Sequence, residues 1–194
     1  MCPCYHFQMR KRLLLIALAC AAASLACGIP GFAAPTPPAS PIPVSATSAH
    51  EVQDLLEAAA ASAATGSVTV TFTEQQLTSA VALYLEENAT DPQLTNPQVF
   101  LRDGKIQLYG TAVVQGLTVD ATFVISTSVS ADGQLTFAAE SGSFGPLGVP
   151  DDVLTQISDA LNEWATGSIA PAMTGVRLSS VVVADGLLTV TGSK

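Results

Sequence analysis

Apolar and polar positions along this chain change period several times, and each change marks an element. Residues 48–62 are rich in Ala, Leu and Glu and free of Gly and Pro, with Val52, Leu55, Leu56 and Ala59 on one side. That composition and spacing predict a helix, closed at Gly66. Val68, Val70 and Phe72 then alternate with Thr69, Thr71 and Thr73, the period of a half-buried strand. Thr73 with Gln76 three residues on reads as a capping box that opens a second helix. Leu77, Val81, Tyr84 and Leu85 form its apolar stripe, and Glu86-Glu87-Asn88 its solvated end.

The remainder is mostly strand. Asp103-Gly104, Asp132-Gly133 and Asp185-Gly186 each sit between β-rich runs, and Asp-Gly suits tight hairpin turns whose central residues need positive φ. The expected pairings are 98–102 with 105–114, 117–130 with 134–141, and 175–184 with 187–192, with Gly116 turning one strand into the next. Gly145-Pro146-Leu147-Gly148-Val149-Pro150 reads as a rigid turn before a helix over 151–165. Val153, Leu154, Ile157, Ala160, Leu161 and Trp164 recur at helical spacing there. Asp151 and Asp152 suit the positive end of that helix and are expected to cap its free N–H groups. The whole is an α+β domain over residues 47–194, with a long antiparallel meander.

The N-terminal quarter reads differently. Arg10, Lys11 and Arg12 precede an uncharged apolar run over 13–26 that ends at Cys27-Gly28. This is the layout of an export signal, and the run is shorter than the roughly 20 residues of a membrane-spanning helix. Ser24-Leu25-Ala26-Cys27-Gly28 resembles a bacterial lipobox, in which the cysteine is acylated and becomes the mature N-terminus. Ala26, Cys27 and Gly28 carry the match; Ser24 and Leu25 depart from the preferred order. The expectation is a signal over 1–27 with lipid attached at Cys27, anchoring the protein to the outer face of the cytoplasmic membrane. Plain secretion and an uncleaved signal anchor are the alternatives, and translation starts at either Met1 or Met9. Residues 28–46 form a tether, with Pro30, Pro35, Pro37, Pro38, Pro41 and Pro43 favouring extended, polyproline-like chain.

Charge and side-chain inventory narrow the function. Downstream of the signal the basic residues are Arg102, Lys105, Arg177 and Lys194, whereas all 16 acidic residues lie from Glu51 onward. Such a body is repelled by nucleic acid, whose binding rests on Lys and Arg contacts to phosphate. It has no basic cluster to attract anionic headgroups either. The four cysteines are Cys2, Cys4, Cys20 and Cys27, so no disulfide or thiolate metal site can form beyond residue 27. His50 is the one histidine after the signal, which leaves no positioned base for a Ser-His-Asp or Cys-His arrangement. HExxH, P-loop, GxGxxG and GxSxG patterns are absent. No cofactor or metal is implied, and a non-catalytic protein is expected. The remaining catalytic option is a pair of carboxylates from distant segments.

The element order carries a resemblance. Phe72-Thr73-Glu74-Gln75-Gln76-Leu77, Val99-Phe100-Leu101-Arg102-Asp103-Gly104-Lys105-Ile106, Tyr109-Gly110, the Gly145–Pro150 turn and Val183-Ala184-Asp185-Gly186-Leu187-Leu188-Thr189-Val190-Thr191-Gly192 are its residues. Across 68–192 the chain resembles bacterial TULIP-like (tubular lipid-binding) envelope proteins, LmeA-like and YpmS-like. The resemblance implies a strongly curved antiparallel β-meander wrapped around an amphipathic helix, a half-barrel with one or two further helices. It also implies an apolar groove that binds or transfers lipid acyl chains without catalysis. YpmS-like members keep an uncleaved transmembrane segment where this chain has a lipobox-like cysteine.

The candidate lining follows from strand alternation and helix spacing. Leu117, Val119, Ala121, Phe123, Ile125 and Val129 share one strand face, broken by Thr127, and Leu135, Phe137 and Ala139 continue it. The lipid-binding candidates are Leu117, Val119, Phe123, Ile125, Phe137, Ile157, Leu161 and Trp164, with small residues such as Ala121 and Ala139 leaving room for a ligand. The same side chains also suit a dry core packed on the helix that carries Trp164. The partners expected are therefore the membrane, through the acyl anchor, and a lipid ligand. No protein partner is indicated. The second reading is a non-catalytic interaction domain displayed on its tether, and the third an envelope hydrolase using carboxylates.

Overall fold

The computed structural model describes residues 40–63, 66–88, 94–114, 116–169 and 175–194. The expectations for Cys27, the 1–27 signal and most of the Pro-rich tether lie outside those residues. Helix α1 spans Ala46–Ala63, followed by β1 (Ser67–Thr73) and α2 (Glu74–Glu87). Strands β2 (Leu94–Arg102), β3 (Lys105–Val114), β4 (Leu117–Val129) and β5 (Leu135–Phe144) make the meander, and β6 (Leu147–Gly148) returns briefly along β5. Helix α3 (Asp151–Trp164) ends in a π-helical turn, Ala165–Ile169, before the hairpin of β7 (Arg177–Ala184) and β8 (Leu187–Ser193).

Local signals place most of these elements. Thr73 caps α2 as expected: its hydroxyl accepts from Gln76 N–H, and the Gln76 side chain accepts from Thr73 N–H at 3.0 Å. The Asp-Gly turns join β2 to β3, β4 to β5 and β7 to β8. The start of α3 differs from expectation. Its N-cap is Pro150 and no side chain caps it, so Asp151 and Asp152 act on the helix only through their charge at its positive end.

The strands form two sheets rather than one meander. Five run in the order β2-β3-β4-β5-β6, while the closing hairpin pairs with β1 in the order β1-β8-β7. The second sheet is tied to the turns at one end of the first. Leu178 N–H donates to Gly133 O at 2.9 Å, and Gly186 N–H donates to Leu101 O at 3.0 Å. Strand β7 thus runs from the β4–β5 turn to the β2–β3 turn and closes that end. Leu178, Val181 and Val183 pack against the common core.

Helices seal both long edges of the larger sheet through side-chain-to-backbone hydrogen bonds. On β2, Leu101 N–H donates to Glu74 Oε1 at 2.7 Å and Val99 N–H to Thr78 Oγ1 at 3.0 Å. On β5, Ala139 N–H donates to Ser158 Oγ at 2.9 Å and Phe137 N–H to Asn162 Oδ1 at 2.8 Å. Asn162 Nδ2 returns a bond to Phe137 O at 2.9 Å. Each helix uses residues i and i+4 against strand residues two apart, running antiparallel to the strand. The match is metric: four helical residues rise about 6 Å, and two antiparallel strand residues about 6.8 Å.

This device explains a departure from the expected burial of α2. Its most buried side chains are Thr78, Ser79 and Ala82, not the stripe of Leu77, Val81, Tyr84 and Leu85, which is half-buried or exposed. Thr78 serves the β2 edge, and Ser79 Oγ accepts from Ser45 N–H at 3.1 Å. Polar side chains occupy the deepest positions because the surface they cover is hydrogen-bonding backbone. Buried side-chain polar atoms are all partnered among the described residues.

Residues Ala34–Lys194 form one compact unit. The buried core cluster of the described residues lies within it, from Ala59 to Val190, so this body carries its own core. Thr78→Val keeps the shape but leaves Val99 N–H buried without an acceptor; Asn162→Ala strips the β5 edge. Each is expected to lower unfolding stability by about 1–3 kcal/mol, read as a reduced urea midpoint with an unchanged slope.

Candidate functional site

The inner row of β4 runs along the concave side of the larger sheet, and its exposure is graded. Ile125, at the end closed by β7, is 4% exposed and Phe123 7%, whereas Leu117 at the other end is 69% exposed. Val119 lies between them, half-buried. The register Ile125↔Ala139 and Thr127↔Phe137 carries the row onto β5 as expected. One end of the concave face is therefore covered by the second sheet and the other is open.

Helix α3 lies along this face and does not bury its apolar side fully. Leu154 is its buried residue; Val153, Ile157, Leu161 and Trp164 are half-buried, as are Phe137 and Phe144 on β5. Trp164 meets Tyr84 of α2 edge to face, with ring centroids 6.0 Å apart. These two helices sit on opposite edges of the sheet. Four strands at about 4.8 Å spacing would hold them well apart in a flat sheet, so the contact requires the sheet to curl. The result is an open half-barrel, with no closed barrel among the described strands.

Of the eight residues expected to line a groove, the structure places Phe123 and Ile125 in the core and Leu117 and Val119 at its open end. Phe137, Ile157 and Leu161 pack against that core half-buried, and Trp164 stands at the helix–helix contact. The room expected beside small residues is occupied by neighbours. Ala121 is 1% exposed. A Cβ added at Gly142 would stand 2.7 Å from Phe123 Cδ1, and one at Gly110 would stand 2.7 Å from Leu94 Cδ1. Two shallow pockets, of about 190 and about 180 Å3, lie beside α1: one against β1, one against α2. Both fall below the roughly 300–1,000 Å3 of small-molecule sites.

Ionisable chemistry is sparse. Glu74 is engaged by Arg102 and by Leu101 N–H, and Lys105 donates to Glu140. The Lys105 hydrogen bond holds the Glu140 carboxyl below its ordinary value. Burial raises the Tyr109 hydroxyl, which donates to Gln107 Oε1 at 2.9 Å. Among the described residues no group of three or more His, Cys, Asp or Glu side chains could hold a metal ion. None of their helices is long and apolar enough to cross a membrane.

Sequence reasoning missed Ser158, Asn162 and Thr78, three of the four residues that hold the helices on the sheet edges. The available signal was polarity beside apolar stripe positions: Ser158 follows Ile157, and Asn162 follows Leu161.

A curled antiparallel sheet with a partly exposed amphipathic helix along its concave face defines a TULIP-type half-barrel. The family model described as LmeA-like phospholipid-binding matches residues 41–193, which is nearly all of the folded body, and the chain belongs to that family. No curated protein and no solved structure matches it.

Two outcomes test this description. Gly142→Ala forces the Phe123 ring out of its place and is expected to cost about 1–3 kcal/mol, seen as a lower melting temperature. For Glu140, the folded pKa is depressed, so its contribution is present above the unfolded carboxylate pKa and lost as pH falls through the folded one. The carboxylate is largely exposed and solvent-screened, so Lys105→Met should cost less than about 1 kcal/mol near neutrality. Its urea midpoint should converge with wild type in acid.

Proposed function

We propose that this protein binds a phospholipid by its acyl chains, entering at the open end of the half-barrel and running between α3 and the β4–β5 face, without chemistry. The observation that supports it is the graded inner row, from buried Ile125 to exposed Leu117. An apolar face that is covered at one end and open at the other suits a long apolar ligand with a polar head left outside. The facing side of α3, through Ile157, Leu161 and Trp164, remains half-buried. Acyl chains entering there would cover side chains now partly in water, gaining about 25 cal/mol per Å2 of apolar area. Because Leu94 stands over Gly110 and Phe123 and Val149 over Gly142, entry requires side chains on the inner face to shift. Family membership supports the ligand class.

The same reading holds the body at the membrane through an acylated Cys27 and the Pro-rich stretch, after export to the cell envelope. Gln98 supports a fixed exit for that stretch. Its side-chain amide donates to Ile42 O at 3.2 Å and accepts from Ile42 N–H at 2.6 Å, clamping the chain where the tether meets β2.

The experiment is native mass spectrometry of residues 34–194 made in a bacterial host, with extraction and identification of bound lipid. One phospholipid per chain is expected, with Val119→Asp losing it while circular dichroism stays unchanged. A folded wild-type body that remains empty when offered phospholipid in detergent micelles would overturn the reading in favour of an interaction domain.

A further inference from the structure

The two ends of the half-barrel differ in kind. At the closed end lie all three Asp-Gly turns, together with every basic residue of the folded body. Arg102 and Lys105 flank the β2–β3 turn. Arg177 opens β7, with Nη2 donating to Ala131 O in the β4–β5 turn at 3.3 Å, and Lys194 lies against Gly175. At the open end the two hairpin tips carry no charge at all. The β3–β4 tip runs Val113-Val114-Gln115-Gly116-Leu117, and the β5–β6 tip runs Gly145-Pro146-Leu147-Gly148.

These tips expose apolar side chains to water. Leu147 is 69% exposed and Val113 is 50% exposed. The pairings Val114↔Leu117, Ala121↔Phe144 and Phe144↔Leu147 place both tips at the same end of the sheet. The charges nearest that end are negative: Asp120 on β4, Glu86 and Glu87 at the end of α2, and Asp151 and Asp152 after β6.

We infer that Val113, Pro146 and Leu147 form a docking rim that enters the surface of a zwitterionic phospholipid bilayer, setting the mouth of the groove against its lipid source. The inference rests on the lipid-binding reading above and adds the surface, its orientation and its electrostatics. A protein partner fits the rim poorly. Two narrow tips cannot supply the roughly 800 Å2 per partner of a standard interface, whereas a few apolar side chains suffice to enter the headgroup–acyl boundary. The absence of Lys and Arg at this end makes attachment apolar rather than electrostatic. It should be insensitive to salt and gain nothing from anionic lipid.

The test is flotation of residues 34–194 with phosphatidylcholine vesicles, at low and high salt, beside vesicles containing phosphatidylglycerol. Val113→Asp/Leu147→Asp is compared with wild type, and lipid uptake from detergent micelles is measured for both. Wild type should float with phosphatidylcholine equally at both salt levels. The double variant should bind about tenfold or more weakly while loading lipid from micelles as before. Floating only with phosphatidylglycerol vesicles and releasing at high salt would overturn the inference and point to the Arg177–Lys194 end. A wild type that loads from micelles but never floats would overturn the docking rim and leave lipid binding standing. A wild type that neither loads nor floats would overturn both.

Discussion

An open antiparallel sheet leaves a row of unpaired N–H and C=O groups along each edge, and this fold depends on how those rows are satisfied. Each edge is matched by a helix that offers side-chain acceptors at i and i+4: Glu74 and Thr78 on β2, Ser158 and Asn162 on β5. The near-equality of four helical rises and two strand rises lets the bonds form without distorting either element. Sealing the edges also blocks edge-to-edge association, the common hazard of an exposed strand. Both helices are held at the rims, so the sheet can curl between them until Tyr84 and Trp164 touch.

That arrangement fixes what the concave side can do. A helix held by hydrogen bonds to one strand edge need not bury its apolar face completely, and α3 leaves Ile157, Leu161 and Trp164 half-buried. The smaller sheet then makes the two ends of the inner face unlike. By bonding to the β2–β3 and β4–β5 turns it stops one end, so Phe123 and Ile125 belong to the core while Leu117 stays in water. The open end, the buried end and the half-buried helix are consequences of one edge-sealing scheme and one capping sheet.

Much of this was legible in the sequence. The period-2 rows of β1 and β4, the capping box at Thr73, the Asp-Gly turns and the apolar side of α3 follow from local rules that tertiary contacts do not override here. The polar residues at the helix–strand seams were not legible. Thr78 and Asn162 look like surface positions, because a linear pattern shows polarity but not the backbone edge that will meet it. Asp151 and Asp152 show the converse: local rules assign them a capping role, but Pro150 takes the N-cap position and their side chains make no cap bond. The small residues on the inner face misled for a related reason. A short side chain such as Ala121 suggests space in sequence, but packing across the sheet leaves it 1% exposed. In the same way, the Phe123 ring from the neighbouring strand fills the place above Gly142.

The sequence by itself determined the kinds of element, their order, the hairpin turns and the poverty of catalytic groups, because these depend on spacing and composition within a few residues. Tertiary structure alone decided that the last hairpin leaves the meander to pair with β1. It also decided which end of the inner face is closed, and that charged turns gather at one end while apolar tips gather at the other. Those outcomes depend on contacts between residues far apart in the chain, such as Leu178 with Gly133 and Val68 with Gly192, about which local periodicity carries no information.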